Sequence, residues 1–177
     1  MRFSGTGGYK TSGNHFAGVT INTAEYPFFS NGLEEYQCTW WARCRASYQA
    51  WMMDPDNLGN YIHTSGHGGY VAENTAKYYK VPWNMNIREI KPHSLVSYRE
   101  GNYRDSAGNI CGHIAYVEAV DYNKGIYYQS HCGGGTDWYG TTIKYMSDYE
   151  GANAYKFGGF VTMEDIVNSD VYKGGNK

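Results

Sequence analysis

The chain changes character at Cys38. Before it stand Pro27, Phe28, Phe29 and the turn-forming Ser30-Asn31-Gly32. After it, down to Met53, there is neither Gly nor Pro. Cys38, Trp41, Ala42, Ala46, Gln49 and Met53 recur at three- and four-residue steps, which predicts a helix with one mostly apolar face. Asp54-Pro55 ends it, because proline cannot continue a helix and disfavours helical geometry at the residue before it. A thiol at a helix start meets unpaired backbone N–H groups and the positive end of the dipole, an environment that favours thiolate. Such a cysteine needs a base, so the rest of the chain is read for one.

A second helix is expected over residues 70–79, with Pro82 beyond its end. After about residue 85 the period turns to two. Strands are expected over 94–98, 112–121, 126–132, 141–146 and 154–161, with a hairpin turn at Asn123-Lys124. Helices first and antiparallel strands later give an α+β domain with segregated elements. On this reading residues 1–24 are an arm or linker, 25–163 the domain and 164–177 a tail or linker.

Composition narrows the partners. Fifteen Lys and Arg against seventeen Asp and Glu leave no basic stripe for nucleic acid. No stretch is long enough to span a membrane, and Met1-Arg2-Phe3-Ser4-Gly5 lacks the apolar core of a signal peptide. Four cysteines without a CxxC pair do not make a disulfide scaffold in a chain of this length. His63 and His67 have zinc-like spacing, but Gly66, Gly68 and Gly69 argue against the helix that would align them. No metal and no cofactor are expected.

Among six histidines, His113 differs by opening the clearest strand, with Ala115 and Val117 beside it on one face. The small neighbours leave room for a packed helix end. A lone histidine on an apolar face is more often a satisfied core residue, so the base needs further support.

That support is a resemblance. Tyr36-Gln37-Cys38-Thr39-Trp40-Trp41-Ala42 resembles the "GQCTWY" element of CHAP domains, the cysteine, histidine-dependent amidohydrolases/peptidases of the papain-like superfamily. Gly112-His113-Ile114-Ala115-Tyr116-Val117-Glu118 resembles their "GHVAYVE" strand, and Gly68–Asn74 and Pro92–Tyr98 are similar to the family segments between. The resemblance implies a papain-like α+β fold with N-terminal helices packed on an antiparallel sheet. It implies hydrolysis of an amide or peptide bond of bacterial peptidoglycan, by an amidase or endopeptidase, through a cysteine thioester. Cys38 would be the nucleophile, His113 the general base and Gln37 a contributor to the oxyanion site.

The family's third member is a Glu or Asp, followed two residues later by an Asn, on the strand after the histidine strand. The aligned positions hold Ser130 and Cys132. With an even-length turn, His113 shares its face with these two; one residue more or fewer would put Gln129 and His131 there. Ser130 is thus the expected orienting residue, Glu118 takes a structural role on the opposite face, and Cys132 is expected close to Cys38. The expected setting is a phage lysin or tail-associated lysin, extracellular or virion-borne, or a piece of a larger secreted polypeptide. The rivals are a non-catalytic wall-binding module and a zinc-dependent amidase.

Overall fold

The computed structural model describes residues 37–57, 61–132 and 139–174. The expected N-terminal arm therefore lies outside the described residues. Helix α1 (Cys38–Met53) and helix α2 (Val71–Tyr79) precede a five-stranded antiparallel sheet. Its strands are β1 (Ser94–Tyr98), β2 (His113–Asp121), β3 (Ile126–Cys132), β4 (Tyr139–Tyr145) and β5 (Phe157–Thr162). Their spatial order is β4-β3-β2-β1-β5. All five residues of β1 are buried, as befits an interior strand with both faces covered.

The two faces of the sheet are covered differently. On one, Leu95, Ile114, Tyr116 and Val161 pack with Ala42, Ala46 and Ala50 of α1 and with Val71, Ala72 and Ala76 of α2. On the other, Val96, Tyr98, Ala115, Val117, Tyr127 and Phe160 pack with Ile87, Ile90, Met146 and Tyr149 from short 3-10 turns. Helix α1 is buried at nine positions, including Trp40, Trp41, Cys44 and Arg45. That is much more than one stripe.

The domain runs further than the sequence reading has it. Residues 164–177 were expected to be a tail, but α3 (Met163–Asn168) and α4 (Asp170–Gly174) put Met163, Ile166, Val167 and Tyr172 into the helix-side core. Thr162 caps α3 by accepting from Asp165 N–H at 3.0 Å. Helices of six and five residues are too short to display an amphipathic period. Residues 154–156, expected as strand, belong instead to a 3-10 turn (Gly151–Lys156), and β5 begins only at Phe157.

A glycine contact locks the start of β2 against the turn before α2. A Cβ on Gly68 would stand 2.8 Å from His113 Cα, and one on Gly112 would stand 2.2 Å from the Tyr98 carbonyl oxygen. Gly112 also has φ +65°. Ser97 ties the same layers together, donating to Gly68 O at 2.7 Å and accepting from Ala72 N–H at 3.0 Å.

The hairpin register departs from expectation at one residue. Asp121 pairs with Ile126 and Ala119 with Tyr128, as the even-length turn requires. Val117, however, pairs with Gln129, so Glu118 is an extra residue, a β-bulge. Past it the faces swap: Val120 packs on the same side of the sheet as Val117.

Candidate active site

The first turn of α1 meets the first residues of β2. Gln37, the N-cap, is extended and makes no side-chain cap, so its carbonyl accepting from Trp41 N–H at 3.1 Å is the bond that starts the helix. The backbone N–H groups of Ile114, Thr39 and Cys38 itself point at the Cys38 sulfur. Ile114 follows His113, so the start of β2 abuts the first turn of α1. Gln37 is exposed at its edge.

The ionisation of the pair differs from the sequence expectation of a thiolate. Burial pushes the Cys38 thiol up from its ordinary value, and the three backbone donors only partly oppose it. Burial first, then His131 and Lys144, push His113 down to about 3. Both groups are therefore neutral near pH 7, one a thiol and the other an imidazole that is free to accept a proton.

His113 is framed by aromatic rings. Tyr98, its cross-strand partner on β1, stacks with it at 6.3 Å between centroids and 16° between planes. His131 stands edge-on, 5.1 Å away at 89°. The buried Nε2 of His113 has no hydrogen-bond partner among the described residues.

Ser130, expected to orient His113, is not brought to it. It pairs with Tyr116 on the α1 face, donates to Glu118 Oε1 at 2.6 Å and accepts from Trp41 Nε1 at 3.1 Å. The Glu118 bulge is the reason: it shifts β3 by one residue and puts Gln129 and His131 on the His113 side. Gln129 is buried, accepts from the Tyr98 hydroxyl and donates to Thr142 Oγ1 at 3.1 Å. A neutral carboxamide thus occupies the face where an acid was sought. The signal for Gln129 and His131 was present as the alternative register, but the sequence could not choose it.

Glu118 takes the structural role expected of it. Arg45 of α1, 2% exposed, grips it with two bonds of 3.0 and 2.9 Å. The guanidinium also lies 4.3 Å from the Tyr116 ring centroid. Cys38, Cys44, Cys111 and Cys132 are not joined in disulfides, and Cys111 lies in electrostatic reach of Cys38. His63, half of the zinc-like pair, stacks on Tyr78 at 3.9 Å, while His67 pairs with Asp105 at 3.4 Å. No cluster of three His, Cys, Asp or Glu side chains suited to a metal occurs among the described residues.

Three comparisons bear on this arrangement. No curated protein matches the chain. A solved structure described as the crystal structure of Ly7917 is similar over 71% of this chain and 53% of that one, at 14% identity and a TM-score of 0.43. The chain thus spans about half the length of that protein. The model of the CHAP domain matches residues 29–133, which include Cys38, Gly112-His113 and the β3 strand. The chain belongs to the CHAP domain family, a family of peptidoglycan amidase- and peptidase-type hydrolases.

Proposed function

We propose that the protein cleaves an amide or peptide bond of bacterial peptidoglycan, with Cys38 as nucleophile and His113 as general base. The observation that carries this is the shared site: the N–H of the residue after His113 points at the Cys38 sulfur. Attack proceeds from the neutral pair. His113 takes the thiol proton as sulfur adds to the carbonyl carbon. The oxyanion forms beside the backbone N–H groups of the α1 first turn, with Gln37 at the edge. His113 then protonates the leaving amine, the C–N bond breaks, and a thioester remains on Cys38. Water, deprotonated by His113, hydrolyses it and restores the thiol. A charged third member has no part in this scheme, so the site works as a dyad framed by Tyr98 and His131.

The setting that suits such an activity is extracellular or virion-borne, as in a phage lysin or tail-associated lysin. A second reading, a wall-binding module without turnover, draws on the absence of an acid beside His113 among the described residues. Incubation of purified peptidoglycan with wild type, Cys38→Ser and chelator-treated wild type separates the possibilities. Release of new amino groups that disappears only in Cys38→Ser supports hydrolysis. Pelleting with the wall without release supports the binding module, and loss on chelation alone indicates metal chemistry. Mass analysis of the fragments assigns the bond.

A further inference from the structure

At the other end of the sheet from His113, a pocket of about 530 Å³ opens between the C-terminal half of α1, α3 and the segment entering β1. His93, which lines it, immediately precedes β1, whereas Tyr98 faces His113 from the far end of that strand. Five residues of extended chain separate the two sites by about 16 Å.

His93 has φ +58°, the left-handed region. The other non-glycine residue of this kind among the described ones, Lys80, is the C-cap of α2, where that conformation is ordinary. His93 has no such excuse. Its backbone is clamped on both sides, the N–H donating to Val117 O and the C=O accepting from Met163 N–H, each at 2.8 Å. A glycine would satisfy the same bonds without strain, so the imidazole is kept for what it presents.

The polar groups of the pocket lean one way. The Tyr116 hydroxyl, buried and held protonated by burial, lies within hydrogen-bond distance of His93 Nδ1, at 3.3 Å. Burial favours the neutral imidazole, which offers an Nε2–H to the pocket when the Tyr116 hydroxyl donates to Nδ1. The Gln49 carboxamide oxygen accepts from Arg45 at 3.3 Å, which leaves its NH2 group for the pocket. The Asn168 oxygen accepts from Lys173 at 3.4 Å, with the same result. Lys91 adds an ammonium, Glu164 the one carboxylate, and Met53 and Val167 an apolar wall. Donors thus outnumber acceptors around a wall that suits a methyl-sized side chain.

We propose that this pocket is a second ligand site, which takes the carboxylate of an amino acid or of a short peptide's C-terminus. The carboxylate accepts from His93 Nε2–H and the two carboxamides with Lys91 as counter-charge, and the side chain lies on Met53 and Val167. The proposal does not rest on hydrolysis at Cys38.

The test uses Cys38→Ser protein of the full chain, so that binding is read without turnover. Calorimetric titrations compare N-acetyl-D-alanyl-D-alanine, its C-terminal amide and free D-alanine. The expected result is saturable binding of one or both free carboxylates, with the amide at least about tenfold weaker. Tighter binding of the dipeptide identifies a peptide terminus, and tighter binding of D-alanine a free amino acid. His93→Gly is expected to melt at the same or a higher temperature yet to bind at least about tenfold more weakly, a pair of effects that a merely structural histidine would not give. Lys91→Gln is expected to weaken the carboxylates and not the amide. Equal binding of acid and amide overturns the proposal, as does no binding at about 10 mM or full binding by His93→Gly.

Discussion

The rings of His131 and His113 stand edge to face, 5.1 Å apart at 89°, on the sheet face where an acid was expected. The second imidazole adds to burial in holding His113 at about 3. A carboxylate there would do the opposite. His131→Glu should raise the pKa of His113 by about 1–3 units. Titration of the His113 ring protons by NMR checks this, and an unmoved His113 would show that the two rings are not electrostatically coupled.

Stability should depend on pH through the same residue. The folded ring takes its proton at about 3 and the unfolded one near 6.5. Between those values the unfolded chain binds the extra proton, so stability falls as pH falls from about 6.5 toward 3. The slope from one such group is at most about 1.4 kcal/mol per pH unit. His63 and His93, also lowered, add slopes of the same sign. The urea midpoint of wild type should therefore fall relative to that of His113→Gln as pH drops from about 6.5 toward 3, because the variant has no buried imidazole to protonate. Parallel curves would contradict the shift.

The buried Arg45–Glu118 pair fixes α1 to the bulge in β2 and shares Glu118 with the Ser130 hydroxyl. Removing one partner leaves a buried charge, so Arg45→Met or Glu118→Gln should cost about 3–5 kcal/mol. The double change should cost less than the sum of the two, because neither charge is then left alone. Denaturant unfolding of the four proteins gives the coupling; additive costs would mean the pair is not linked.

Gly112→Ala should be among the most damaging single-methyl additions. The new Cβ would meet the Tyr98 carbonyl oxygen at 2.2 Å in a left-handed backbone. A loss of about 3 kcal/mol or more is expected, read from the denaturation midpoint. A neutral effect would mean that the start of β2 is not packed as described.

What the sequence could and could not reveal follows from range. The α1 start at Cys38 and the strand at His113 were legible because each is written locally, one in a run without Gly or Pro, the other in a nearly continuous apolar run between Gly112 and Asp121. The α+β arrangement followed from their order. Ser130 failed because its face depends on a single extra residue, Glu118, and nothing local marks a bulge in a strand that is apolar on both faces. The charge state of Cys38 failed for a related reason: a helix start argues for thiolate, but the burial that outweighs it arises from packing against β2. Helices α3 and α4 were missed because only the tertiary fold brings Ile166, Val167 and Tyr172 to the core.

The central claim is that Cys38 carries the acyl group. Wild type mixed with a soluble muropeptide, quenched in acid during turnover and digested, should yield a peptide containing Cys38 with the mass of the acyl fragment added. The adduct should be released by hydroxylamine and be absent from Cys38→Ser, which should also lack turnover. Turnover by Cys38→Ser at the wild-type rate, with no adduct in either protein, would contradict the account.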